Sequence, residues 1–181
     1  MKEGQEQINQ TKIMTIRGEK VVLRPMTVEE IPIFYEWATD SDSTPFWYDD
    51  GVIPSYEQFT QDWGRHYFDG SDPHRGRCFT ILIGNRAIGE INYNEINRNK
   101  DSVELDIIIT NDTDKNKGYG TDALKALTKY LFQNMNIRLC WIEVVSSNIR
   151  ATKAYEKAGF KPSFTFISQG KECKHMELSN L

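Results

Sequence analysis

Residues 110–132 read "TNDTDKNKGYGTDALKALTKYLF". Polar turn residues run to Lys117, Gly118 and Gly120 sit two apart, and Ala123, Leu124, Leu127, Tyr130 and Leu131 follow at helical spacing. Glycine weakens helix interiors, so glycines at a helix start point to a need for close access to the backbone. A helix N-terminus offers N–H groups without internal partners and the positive end of the dipole. Successive amides there cradle phosphate or pyrophosphate, and Lys115 and Lys117 add charge. Taken alone, the stretch is better read as a glycine-tolerant turn with two solvated lysines. It is neither a P-loop, since Gly-Lys-Ser/Thr is missing, nor a GxGxxG fingerprint.

Outward from this helix, the chain reads as one α/β domain over 14–181 behind a polar, mobile tail of residues 1–13. "EKVVLRPM" (19–26) predicts a first strand, and Thr27 with Glu30 forms a capping box for a helix over 27–40. A long loop with turn residues and aromatics spans 41–55, and a second helix follows. Strands are predicted over 78–83, 86–96 and 102–110, the first two joined at Gly84-Asn85. After the Gly118 helix come a strand at 138–145, a helix at 148–159 ended by Gly159, and a hairpin around Gln169-Gly170. That order describes a mixed sheet with helices on its faces.

Composition narrows the function. The chain has 181 residues with 26 acidic against 22 basic, a formal net charge of −4. This argues against nucleic acid as a bulk partner and suits a cationic ligand in an acidic cleft. The three cysteines, Cys78, Cys140 and Cys173, are scattered and form no CxxC pair, so no zinc site or disulfide framework is indicated. The histidines, His66, His74 and His175, lack ligand spacing, and no metal is expected. No apolar run is long enough to span a bilayer, and no export signal is visible, so a cytoplasmic protein, monomeric or homodimeric, is expected.

Two patterns separated by one strand carry a family resemblance. Lys115-x-x-Gly118-x-Gly120 matches the acyl-CoA signature Arg/Gln-x-x-Gly-x-Gly/Ala with lysine at its first position. "NIRATKAYEKAGF" (148–160) matches Asn-x-x-Ala-x-x-x-Tyr-x-x-x-Gly-Phe in full. The chain resembles the GNAT family of N-acetyltransferases over residues 19–179. The resemblance implies a mostly antiparallel sheet of about seven strands with helices on both faces, and acetyl-CoA as cofactor. It implies that the pantetheine arm adds to the backbone of Ile107, Ile108 and Ile109. The pyrophosphate would lie on Lys115, Asn116, Lys117, Gly118, Tyr119, Gly120 and Thr121. Asn148 and Ala151 would meet the arm, and Tyr155 would protonate the departing thiolate.

Amine acetylation also needs a base, because an ammonium ion has no lone pair. Asp106, an acid inside "LDIII", is costly to bury without purpose. Glu104 shares its strand face and is read as a solvent-facing acid. Within the family the chain resembles aminoglycoside 6′-N-acetyltransferases, whose catalytic aspartate falls twelve residues before the first motif glycine, as Asp106 does. Glu90 and Tyr93 join as acceptor-side candidates. In the loop "TPFWYDDG", Phe46, Trp47 and Tyr48 either cover an amine or anchor the loop, and Asp49 and Asp50 add negative charge. A primary amine of an aminoglycoside or similar polyamine is the expected acceptor. A protein N-terminus or amino acid is the alternative, with a non-catalytic acyl-CoA-binding module behind both.

Overall fold

The computed structural model describes residues 14–48 and 51–180. Eight strands form one sheet: β1 Ile16–Arg17, β2 Val22–Pro25, β3 Arg77–Ile83, β4 Arg86–Tyr93, β5 Ser102–Ile109, β6 Leu139–Val145, β7 Lys161–Ser168 and β8 Lys171–Ser179. Their order across the sheet is β1-β2-β3-β4-β5-β6-β8-β7. Every neighbouring pair is antiparallel except β5 with β6. The strand beyond the expected seven is β1, whose two residues are too few to show alternation.

The helices are α1 Ile31–Thr39, α2 Thr44–Trp47, α3 Tyr56–Trp63, α4 His66–Asp69, α5 Tyr119–Asn134 and α6 Ile149–Ala158. One core lies between the sheet and α5 and α6, with Leu23, Ile81, Ile91, Leu105, Leu124 and Leu127 at its centre. A second lies on the opposite face under α1–α4, around Met26, Phe34, Phe59, Phe68 and Cys78. Capping at Thr27 is present: the Glu30 carboxylate accepts the Thr27 N–H at 3.0 Å, and a 3-10 turn then leads into α1. The second helix is broken at Gly64, where φ is +59°, into α3 and α4. The long loop contains the single turn α2. All three cysteines are buried.

Three contacts fix the start of α5. The Asp122 carboxylate accepts the N–H groups of Glu19, Lys20 and Val21 at 3.0, 2.7 and 2.9 Å, so the β1–β2 turn sits on the first turn of the helix. The Lys20 ammonium donates to the Lys117 carbonyl at 3.0 Å. The Arg86 guanidinium forks onto Asp114 at 2.7 and 2.8 Å, fastening the 3-10 turn Asp112–Asp114 to β4.

The feature that positions the site is a fork in the sheet. β5 and β6 pair over only three residues, Ser102–Glu104 against Leu139–Trp141. Beyond them β5 follows β4 through Ile109, while β6 follows β8 to Val145. Glu104 O accepts from Asn94 N and Thr110 N donates to Ile88 O, so the even-numbered peptide groups of β5 face β4. By alternation, the peptide groups of Ile107 and Ile109 face the fork.

Replacing Asp122 by alanine leaves three backbone donors without their acceptor. Unfolding free energy is expected to fall by roughly 2–4 kcal/mol in a denaturant titration, and an unchanged midpoint would contradict this role.

Candidate active site

The fork opens into a groove of about 720 Å³, a size suited to a small-molecule site. One lip is β5 from Glu104 to Ile109, and the other is Ile142–Val145 of β6 with α6 above it. The Gly118 loop and the start of α5 line its floor, and Phe46 and Trp47 line it as well.

The glycine loop has the form the sequence suggests. Gly118 takes φ +83°, a conformation that side chains resist, and α5 begins at the next residue. The amides at its first turn have no carbonyl one turn back to bond, and α5 runs for 16 residues behind them. The Lys20 ammonium lies 3.1 Å from where a Gly118 Cβ would stand, so the loop carries a cation that sequence reading missed. Lys115 lines the groove but is ion-paired to Asp112 at 2.9 Å, and Arg150 of α6 shares that carboxylate at 3.1 Å. Lys117 is exposed outside the groove. Asn116, Tyr119, Gly120 and Thr121 line it, and Gly120 packs ordinarily over the side chains of Ile107 and Ile109.

Of the three isoleucines, Ile107 and Ile109 line the groove. Ile108 does not: it is turned to β4 opposite Glu90, with its side chain buried. Ile109 O already accepts the Ser43 hydroxyl at 2.8 Å. Asn148 and Ala151 line the groove, but the Asn148 side-chain oxygen caps α6 by accepting Ala151 N at 3.1 Å. Tyr155 lines it from α6 and is only 8% exposed. Burial first, and the charge of Asp106 second, hold its phenol above the ordinary tyrosine range, so it keeps its proton at neutral pH.

The acids are arranged differently from the expectation in part. Asp106 lies in the groove, half-buried, and accepts from Asn94 at 2.9 Å and Asn92 at 3.3 Å. Burial raises its pKa, and the two amides oppose the rise. Glu104, read from sequence as a solvent-facing acid, also lines the groove. Its carboxyl is pushed up to about 7 by burial and then by Asp106, against a hydrogen bond from Asn94. Glu90 is corrected in the opposite sense. It is fully buried on the sheet face under α1–α4, beside Cys78 and outside the groove. Burial first, and the charge of Asp106 second, raise its pKa well above the carboxylate range against the neighbouring Cys78 thiol, so it is a neutral acid.

Tyr93 is likewise a core residue. It faces the α5 side, 1% exposed, with its hydroxyl donating to Pro73 O at 2.9 Å. In the aromatic loop both readings hold. Trp47 packs against Phe34 and Trp63 and still lines the groove, Phe46 lines it 45% exposed, and Tyr48 packs into the second core. Asp49 and Asp50 fall outside the described residues. Sequence reading missed Asn94, Glu104, Glu143 and His175. The one signal was an acid two residues before Asp106 on the same strand face. His175 stacks between Trp141 and Phe164 and pairs with Glu143 at 3.0 Å, and Glu143 lines the groove. Among the described residues no cluster of His, Cys, Asp and Glu could hold a metal ion, and no helix is long and apolar enough to cross a membrane.

With this geometry in place, comparison with known proteins defines the class. The family described as "Acetyltransferase (GNAT) domain" matches residues 20–161, and the chain belongs to the GNAT acetyltransferase family. It is 25% identical over 161 residues to an aminoglycoside N(6′)-acetyltransferase type 1 of Klebsiella pneumoniae, covering 85% of this chain and 80% of that protein. It is 26% identical over 143 residues to the spermidine N(1)-acetyltransferase of Escherichia coli K12, covering 79% and 74%. The structure of AAC(6′)-Ib with paromomycin and acetyl-CoA has the same fold, with TM-score 0.72 and 22% identity over 89% of this chain and 94% of that one.

A side chain at position 118 must adopt a disfavoured φ and push Lys20 aside. Gly118→Val is expected to weaken coenzyme A binding by about tenfold or more in a calorimetric titration, with the folded fraction unchanged; equal affinity would count against the loop as the phosphate cradle.

Proposed function

We propose that this acetyltransferase moves an acetyl group from acetyl-CoA to a primary amine of a small polycationic acceptor, an aminoglycoside or a polyamine, by direct transfer in a ternary complex. The observation that carries the reading is the fork itself. It brings outward-facing backbone, the Gly118 loop, a protonated phenol and a pair of acids into one groove. The relatives named above acetylate amines of both kinds of acceptor, which supports the same class here.

The residues fit the donor. Ile107 and Ile109 present backbone groups to an extended chain, the α5 amides and Lys20 suit a pyrophosphate, and Tyr155 stands beside the fork. Acetyl-CoA supplies a thioester carbonyl that a free amine attacks. Tyr155 holds the proton the thiolate needs. Asp106 offers the acceptor's ammonium a half-buried carboxylate, where charge pairing is stronger than in bulk water. Phe46 and Trp47 line the same groove as Asp106, and aromatic faces beside a carboxylate suit a small cation. A non-catalytic binding module would need neither Tyr155 nor Asp106 in the groove.

A thiol-release assay with acetyl-CoA tests this against kanamycin, tobramycin, spermidine, lysine and peptides with free N-termini. Turnover is expected on the polycations. Tyr155→Phe is expected to cut kcat about 10²-fold with little change in coenzyme A affinity, and Asp106→Asn to abolish most activity. Turnover on peptides alone would reassign the acceptor, and equal losses of kcat and cofactor affinity in Tyr155→Phe would remove its acid role.

A further inference from the structure

Asn94, just beyond β4, joins the two groove acids. Its side-chain nitrogen donates to Glu104 Oε2 at 3.1 Å and to Asp106 Oδ2 at 2.9 Å. Its side-chain oxygen accepts the Tyr67 hydroxyl and the Asn92 amide, each at 3.0 Å. Two carboxylates on one side demand a donor there, so the orientation of the amide is fixed by its partners. Every hydrogen-bonding position of the Asn94 side chain is committed to this network.

We propose that Asn94, locked by Tyr67 and Asn92, clamps Glu104 and Asp106 into a working pair in which Asp106 binds the acceptor's ammonium and Glu104 removes its proton. The proposal rests on the amine acetylation argued above. The division follows from the surroundings. Asp106 receives two amide donors and is the better-stabilised anion. Glu104 receives one, and it stands where β5 and β6 part, next to the half-exposed Glu143.

The transfer balances. Glu104 takes one proton from the ammonium and later releases it to water. The freed amine forms the C–N bond as the C–S bond breaks. Tyr155 gives its proton to the thiolate and regains one from the nitrogen, leaving the neutral amide.

The titration of Glu104 gives the proposal a pH signature. The groups around it are Asp106 on its own strand, Asn94 beyond β4, Tyr67 of α4, Glu143 of β6 and His175 of β8. Tyr67 stays a neutral phenol because burial raises its pKa. Asp106 and Glu143 raise the Glu104 pKa, while Asn94 and His175 lower it. A base must be ionised to act, so kcat/KM, which reports ionisations of the free enzyme, should rise with pH through about 7, the value to which the Glu104 carboxyl is pushed. Removing the Asn94 donor favours the protonated form and should move that limb upward.

The test combines pH–kcat/KM profiles with a carbon-13 NMR titration of the Glu104 carboxyl in the free protein. In the wild type both should show a step near the same pH. Glu104→Gln should lose the limb and about 10²–10³-fold in kcat. Asp106→Asn should raise the acceptor KM more than Glu104→Gln does. Asn94→Ala should shift both the limb and the NMR step upward, and Tyr67→Phe, which keeps the ring, should shift them less in the same direction. A limb that survives in Glu104→Gln overturns the base assignment. An Asn94→Ala variant slower at every pH with its limb unmoved overturns the clamp. Lack of turnover on every amine would sink the acetylation reading, whereas a Glu104 carboxyl titrating near its ordinary value of 4.5 would sink the clamp whatever the acceptor.

Discussion

The parting of β5 from β6 is the constraint on which the rest of the molecule depends. Two parallel strands that stayed paired would leave no groove, no unpaired backbone and no place for α6 to lower Tyr155 toward the sheet. They part with each strand carried by the neighbour on its other edge. β5 is held along its second half by β4, and β6 along its whole length by β8. Unpaired peptide groups inside a protein are costly, so such an edge is kept where a ligand can complete it. Asp122, Lys20 and the Arg86–Asp114 pair then hold the α5 N-terminus against the opening.

The groove has two chemically distinct ends. Around the glycine loop stand backbone donors, Lys20 and Arg150, which suit an anion. On the sheet face under α1–α4 stand Glu104, Asp106 and Glu143, which suit a cation. Burial acts on Glu90, Glu104 and Asp106, but hydrogen bonding separates them. Glu90 has no amide donor and is neutral, Asp106 has two amide donors, and Glu104 has one. A single strand face thus carries acids in different states, the condition under which one binds and another exchanges a proton.

The fold was legible where local chemistry speaks loudly. The Gly118 loop, Gly159 and the Gln169-Gly170 hairpin each announce themselves by residue type, and β3 to β6 by their β-branched runs. The two-residue β1 has no periodicity to read, and the break at Gly64 looks like an ordinary helical residue in a polar helix. At the site, motif residues Tyr155 and Gly118 and the lone acid Asp106 could be found because their spacing is local. Glu104 could not be told from a solvated acid, since what buries it arrives from β4, β6 and α4. Glu90 and Tyr93 were misassigned for a related reason. Alternation tells which residues share a face, but not which face opens into the groove or how far along the strand the cover extends.

The central claim is that the fork receives the donor by strand-like pairing with β5. Amide hydrogen exchange, read residue by residue with and without coenzyme A, tests it most directly. The Ile107 and Ile109 amides, which face the fork, should gain protection on binding, while the Ile108 amide, already turned to β4, should change little. Protection that rises equally at all three, or at none while coenzyme A is bound, would contradict the account.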